Sequence, residues 1–205
     1  ELEREGVRLA PSLWLERGQA IELGASMAAR GWSRGFIKPL LGACARETLR
    51  FRVDVADELA AAQRHVDRLL VEADEDLVVQ PYLASVEAEG EYSAIWFAGQ
   101  LSHGVRKVPV AGDYRVQDDF GAHDEAWTLD AGALELCEAV FAALDRVLAR
   151  LGSSGPLLYA RVDMLRDASG ELVLNELELI EPSLFLRHRP AAGRVLAEAL
   201  LAALA

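Results

Sequence analysis

Long apolar runs are missing from this 205-residue chain. No stretch approaches the roughly 18 uninterrupted apolar residues of a membrane span, and no signal-peptide pattern opens it. Cysteine is scarce: Cys44 and Cys137 show no metal-binding spacing and suit a reducing cytoplasm. Basic residues are outnumbered, 21 Lys and Arg against 33 Asp and Glu, for a net charge of −12. That balance argues against a general nucleic-acid or anionic-membrane binder, while leaving room for a local basic cleft. Internal repeats, low-complexity tracts and separating linkers are absent. So are Ser/His/Asp and Cys/His arrangements, and the Gly-Lys-Ser/Thr of a P-loop. What is present is apolar, 52% of residues, which excludes extensive disorder and fills one domain or two closely packed lobes.

The most informative stretch is 157–183, LLYARVDMLRDASGELVLNELELIEPS. Apolar and polar residues alternate on both sides of Asp167-Ala168-Ser169-Gly170, a four-residue turn signal, so the pattern predicts a two-stranded antiparallel hairpin. A turn centred there sets Asp163 opposite Leu174 and Arg161 opposite Glu176. One face then collects Arg161, Asp163, Leu174, Glu176 and Glu178, and the other Val162, Met164, Val173, Leu177 and Leu179. Three neighbouring carboxylates repel one another by about 1 to 4 kcal/mol per close pair. A hard divalent cation with a preference for oxygen would remove that cost. The alternative is an acidic, solvated sheet face.

In chain order, residues 7–15 read as a short extended piece broken by Pro11, and 19–30 as a helix stopped by Gly31. Gly35 to Pro39 is a brief strand carrying Lys38, followed by a loop of small residues, 40–46, and a second strand, 48–53. A lysine at a strand end before such a loop is one way to hold a phosphate, though most such lysines are solvated. Residues 56–73 form an amphipathic helix, 77–80 a buried strand, and 91–97 with 100–105 a hairpin around Ala98-Gly99. Beyond it, Arg106, Lys107 and Arg115 surround a Pro/Gly loop. They suit an anion site or, equally, a solvated loop pairing with Asp113, Asp118 and Asp119. A helix over 130–151 shows an apolar stripe of Leu134, Cys137, Phe141, Leu144, Leu148 and Leu151, and Gly152 to Pro156 ends it. A final helix covers about 190–204.

In this order the pieces resemble the ATP-grasp superfamily, most of all prokaryotic glutathione synthetase. Phe36-Ile37-Lys38-Pro39-Leu40 is similar to the strand whose lysine contacts ATP phosphates. Val79-Gln80-Pro81-Tyr82-Leu83 resembles the hinge whose backbone pairs with adenine, and Glu91 the acid that binds ribose. Lys107, Pro109, Gly112 and Arg115 keep the spacing of a basic loop in which an arginine binds phosphate or substrate. Arg161-Val162-Asp163 resembles an Arg-x-Asp motif and Glu176-Leu177-Glu178 a Glu-x-Asn motif. Glu181-Pro182-Ser183 falls where glutathione synthetase has a Ser-Pro-Thr-like loop. The resemblance implies an α+β fold of two lobes, mainly antiparallel sheets flanked by helices, with a nucleotide between them. The smaller lobe would span 1–80, and the larger, 81–205, would carry the metal and phosphate site.

The same resemblance implies a reaction: ATP phosphorylates a small-molecule carboxylic acid, and an amine or thiol displaces the phosphate from the resulting acyl phosphate. Asp163, Glu176 and Glu178 would hold Mg²⁺, or Mn²⁺ in its place. Arg115 and Arg161 would stabilise charge on the transferred group. Lys38, Gln80, Pro81, Tyr82, Leu83, Glu91 and Lys107 would contact the nucleotide. Leu174 would floor the adenine, with an ordinary core leucine as the alternative. Past the metal strand, Ser183, Phe185, Arg187 and His188 lie where selectivity could be built, His188 being read as a surface residue.

Two departures stand out: Glu178 replaces the family's asparagine, and Gly42 is alone where relatives are glycine-rich. The family also places a substrate-binding domain and another ATP-contacting lysine ahead of such a region, so the chain reads as a fragment. A non-catalytic nucleotide-binding or regulatory module is the rival reading, and an acidic structural domain a third. Neither nucleic acid nor membrane is expected as a partner, a homo-oligomer is compatible, and a cytoplasmic location is expected.

Overall fold

The computed structural model describes residues 1–42, 44–153 and 157–204. Ala43 of the small-residue loop and the helix stop at 154–156 lie outside them. The chain divides into two compact units, 10–82, and 83–205 together with 1–9. Residues 1–9, read from sequence with the first lobe, join the second unit, where Leu9 bridges to Leu174 and Leu174 N donates to Arg8 O at 2.9 Å.

The 10–82 unit runs β1 (Leu13–Leu15), α1 (Leu23–Ala28), β2 (Arg34–Pro39), β3 (Leu49–Arg52), α2 (Ala56–Asp67) and β4 (Leu77–Pro81). Its four strands form an antiparallel sheet in the order β1-β4-β2-β3. β2 alternates strictly, burying Gly35, Ile37 and Pro39 and leaving Phe36 and Lys38 half-exposed, as period-two side-chain placement requires. The buried row packs with Met27 of α1 and Val66 of α2. The first helix is shorter than expected because the Gln63 side chain accepts from Leu23 N at 2.8 Å and so sets its start. α2 continues as one π-helical stretch, Arg68–Glu72, which keeps Leu69 and Leu70 buried.

The second unit adds α3 (Ser85–Ala88), β5 (Glu91–Phe97), β6 (Gln100–Val108), β7 (His123–Trp127), α4 (Ala131–Arg150), β8 (Tyr159–Arg166), β9 (Leu172–Glu178) and α5 (Ala192–Leu204). Its sheet is antiparallel throughout, in the order β7-β6-β5-β8-β9. The expected β5–β6 hairpin turns at Ala98-Gly99, both with positive φ (49° and 78°), the conformation a two-residue hairpin turn needs. β7 was not legible, since His-Asp-Glu-Ala-Trp lacks apolar alternation and lies on the sheet edge. α4 is capped by Asp130, whose side chain accepts from Ala133 N at 2.8 Å. Its buried stripe centres on Leu136, Cys137, Val140, Ala143, Leu144 and Val147. Leu134 and Leu151, expected inside, are exposed. Ala133, Leu136, Cys137, Val140 and Ala143 pack into the core with the sheet instead.

The β8–β9 hairpin forms around 167–170, where Asp167 Oδ1 accepts from Ser169 N and Glu171 N at 2.8 and 3.1 Å. Its register differs from the expectation. Met164 pairs with Leu174, and a bulge then inserts Asn175, so that Asp163 faces Glu176 and Arg161 faces Glu178. An inserted residue reverses the alternation beyond it. Leu174 therefore falls on the core face with Val162 and Met164, 3% exposed, and not beside the acids.

One glycine is required where the sheet approaches the acids. Gly90 has φ +83°, and a Cβ there would lie 2.2 Å from the carbonyl oxygen of Lys107. Strain and overlap together make Gly90→Ala cost on the order of 3 kcal/mol. Urea denaturation followed by circular dichroism should show the lower midpoint; an unchanged midpoint would refute the steric argument.

Candidate metal centre

The second unit's sheet has two chemically distinct faces. One packs Tyr92, Ala94, Val162, Met164 and Leu174 against Cys137 and Val140 of α4. Odd-numbered residues of β5 and β8 point the other way, and there Glu91, Ser93, Arg161 and Asp163 are all buried. Lys107 of β6 pairs in register with Glu91, and Ser93 with Asp163. Because the bulge turns both glutamates of β9 to this side, Glu176 and Glu178 complete the group.

Asp163 is the centre, fully buried. Ser93 Oγ donates to its Oδ1 at 2.5 Å. Arg161 donates through Nε to both carboxylate oxygens at 3.0 Å and through a terminal nitrogen to Oδ2 at 2.8 Å. Lys107 Nζ lies 3.4 Å from Oδ2 and 3.0 Å from Glu91 Oε1. Arg161 also pairs with Glu178 and donates to Ser183 O at 3.2 Å. Burial alone would raise the Asp163 carboxyl, but Lys107, Arg161 and the hydrogen bonds from Arg161 and Ser93 outweigh it and bring it down to about 2. Burial dominates at Glu91, pushing it up to about 7 against the attraction of Lys107. Glu178 is raised too, by burial first and then by Asp163 and Glu176, with Arg161 opposing.

Asp163, Glu176 and Glu178 can each offer one carboxylate oxygen, and these atoms lie within 4.8 Å of one another. An all-oxygen set of carboxylates is the donor chemistry of a hard divalent cation such as Mg²⁺. Four carboxylates against two cations also leave negative charge for such an ion to offset. The residues fit it.

Other residues singled out in the sequence stand elsewhere. Each cation of the Pro/Gly loop has an acid: Arg106 pairs with Glu125 at 2.9 Å, Lys107 with Glu91, and Arg115 with Asp113 at 2.6 Å. Arg115 also stacks on Phe120, 3.9 Å from the ring centre, and holds the Asp113 carboxyl well below its ordinary range. Lys38, Gln80, Pro81 and Tyr82 belong to the 10–82 unit, whereas Leu83 begins the other. Lys38 lies on the half-exposed face of β2 opposite Val78. Gln80 donates to Ser12 Oγ at 2.9 Å, Pro81 pairs with Gly35, and Tyr82 lies under Arg34, 4.5 Å from the guanidinium carbon to the ring centre.

Past β9, Arg187 and His188 both pair with Asp124, whose side chain is 5% exposed. His188 is thus partly buried rather than the surface residue expected. His103, whose protonation burial disfavours, faces the carbonyls of Leu184 and Phe185 at 3.1 and 3.3 Å. The sequence reading missed Ser93, although its spacing from Glu91 on one strand puts both on the same face.

No family model matches the chain. The cycloserine biosynthesis protein DcsG of Streptomyces lavendulae is 34% identical over 179 residues, covering 85% of this chain and 56% of its own length. The chain thus spans a little over half of that curated relative. The crystal structure of D-cycloserine synthetase DcsG superposes with a TM-score of 0.84 at 30% identity, over 100% of this chain and 68% of that one. D-alanine–D-alanine ligase from Bacillus anthracis complexed with ATP gives 0.66 at 20% identity, over 97% and 60%. The ATP-grasp ligase PsnB, complexed with a precursor peptide and AMPPNP, gives 0.60 at 16% identity, over 98% and 55%. The latter two show likeness of fold alone.

Because the Asp163 carboxyl falls from 3.8 to about 2, its ionisation stabilises the fold above the ordinary value, and that contribution is lost as pH falls through 2. Glu91 works in the opposite sense, since its raised value means that ionising it costs stability as pH rises through about 7. Asp163→Asn should flatten the acid limb of the stability curve. At neutral pH it should cost about 3 kcal/mol by leaving Arg161 and Lys107 short of a partner. Urea midpoints measured across the acid range check both; parallel curves for the two proteins would exclude the assignment.

Proposed function

From the premise that the chain belongs to the ATP-grasp superfamily, we propose that it carries the nucleotide and metal site of an ATP-dependent ligase. The ligase joins a small-molecule carboxylic acid to an amine or thiol through an acyl phosphate, releasing ADP and phosphate. The observation that carries this reading is the convergence of buried Asp163 on β8 with half-buried Glu178 and exposed Glu176 on β9, with Arg161 and Lys107 built into the group. Support for the reaction class comes from the D-cycloserine synthetase relative at 30% identity, while the D-alanine–D-alanine ligases share the fold. The likeness to glutathione synthetase is a looser one.

Carboxylates resist nucleophiles because they are already anionic, and phosphorylation supplies a leaving group. The protein's part is then to position groups and neutralise charge. Asp163, Glu176 and Glu178 would hold Mg²⁺, or Mn²⁺, which when bound supplies positive charge to the nucleotide's phosphate oxygens. Arg161, fixed by Asp163 and Glu178, holds a delocalised cation at the edge of that site. Arg115, oriented by Asp113 and Phe120, offers a second one. Lys38 contacts phosphate, and residues 80–83 and Glu91 hold the nucleoside; Leu174, on the core face of β9, is the ordinary core leucine and not an adenine floor. Two free cysteines, one of them buried, suit a reducing cytoplasm. Among the described residues no helix is long and apolar enough to cross a membrane.

MgATP should raise the melting temperature of the protein, and ADP release should follow when acid and nucleophile are supplied. Glu176→Gln should reduce turnover at least about 100-fold while leaving the melting temperature without nucleotide unchanged. Binding without ADP release across a panel of amino acids and peptides would favour a regulatory nucleotide-binding module. Near-normal turnover in the variant would remove Glu176 from the metal site.

A further inference from the structure

The chain uses arginine nineteen times and lysine twice, at Lys38 and Lys107. Lys107 is 7% exposed and lies inside the sheet face that bears the acids. Its ammonium is 3.0 Å from Glu91 Oε1 and 3.4 Å from Asp163 Oδ2, and both carboxylates are themselves buried. The ammonium of lysine is a compact point charge with three rotatable donors, unlike the planar fork of arginine. It can therefore sit between two acids on adjacent strands without needing either in a fixed plane. The two contacts are unequal: the nearer is at hydrogen-bonding distance, and the farther is a looser ion pair. Asp163 is also held by Ser93 and Arg161, so it keeps its orientation if the lysine withdraws.

Resting on the nucleotide-and-metal reading above, we infer that Lys107 is a positioning residue that shares its charge between Glu91 and Asp163 and yields Asp163 to the divalent cation. It acts through the two carboxylates and not by touching phosphate. While the cation is away, the ammonium offsets the charge on Asp163. When the cation arrives, the lysine remains paired with Glu91, and Asp163 Oδ2 is left with Arg161 and the cation as its positive neighbours. Lys107 thus lowers the affinity of the site for a bare cation through the charge it places beside Asp163.

The test uses Mn²⁺ as the probe, titrated into the intact protein without nucleotide, with free Mn²⁺ counted by electron paramagnetic resonance. Lys107→Met removes a competing cation and should tighten Mn²⁺ binding at least fivefold. Glu91→Gln leaves the lysine to Asp163 alone and should weaken it at least fivefold. The double variant restores the charge balance and should bind within twofold of the unaltered protein. It also avoids an unpaired buried charge, so the comparison of Glu91→Gln with the double variant decides the matter even if Lys107→Met fails to fold. If all three bind bare Mn²⁺ like the unaltered protein while Lys107→Met weakens only MgATP binding, the lysine is a phosphate ligand and the inference is overturned. Should the unaltered protein bind neither Mn²⁺ nor MgATP, the ligase reading falls with it. Normal Mn²⁺ binding that is insensitive to all three changes overturns only the role of Lys107.

Discussion

Like charges crowded into a protein interior must be compensated, and the face of the β5–β9 sheet is organised by that requirement. Glu91 and Asp163 are buried, Glu178 is half-buried and Glu176 stands exposed, and Arg161 and Lys107 are threaded among them. Removing charges from water costs several kcal/mol each, and mutual attraction repays it only where hydrogen bonds satisfy the remaining lone pairs. Asp163 meets that condition with hydrogen bonds from Ser93 and Arg161, whereas Glu91 has one from Lys107 and its carboxyl is pushed up to about 7. A core of apolar side chains would be cheaper. The polar arrangement makes sense as a receptor for positive charge.

Arg161 extends that arrangement into the segment after β9. The same guanidinium that binds Asp163 and Glu178 also binds the Ser183 carbonyl and lies 5.7 Å from the centre of the Phe185 ring. Phe185 takes a left-handed conformation, φ 47°, which is uncommon outside glycine. His103 and Asp124 hold the neighbouring residues from the other side of the segment. Asp163, Glu178 and the segment after β9 are therefore joined through one guanidinium.

Much of this was legible in the amino-acid order. Period-two alternation disclosed the hairpin that carries Asp163 and Glu176, the Ala98-Gly99 turn the one that carries Glu91, and apolar spacing α2 and α4. Those signals are local and strong. What escaped depended on contacts distant in sequence: β7 is polar because it lies at the edge, and the face of α4 is chosen by where small alanines meet the sheet. The Lys107–Glu91–Asp163 contact joins three strands, and no spacing rule couples positions so far apart. Its lysine was instead read with Arg106 and Arg115 around a Pro/Gly loop, as an anion site or equally a solvated one. The resemblance to a known family likewise came from ordered fragments spread over nearly the whole chain, no one of which would have sufficed.

Asn175 has a consequence for how such a site can change over generations. As the extra residue of the β8–β9 bulge, it determines the side of the sheet on which everything downstream of it emerges. Loss of a single codon there would send Glu176 and Glu178 toward α4 and bring Leu177 out to the solvent side, although every amino acid of the site would still be encoded. Insertions and deletions, more than substitutions, are thus the changes that lineages carrying this hairpin can least tolerate.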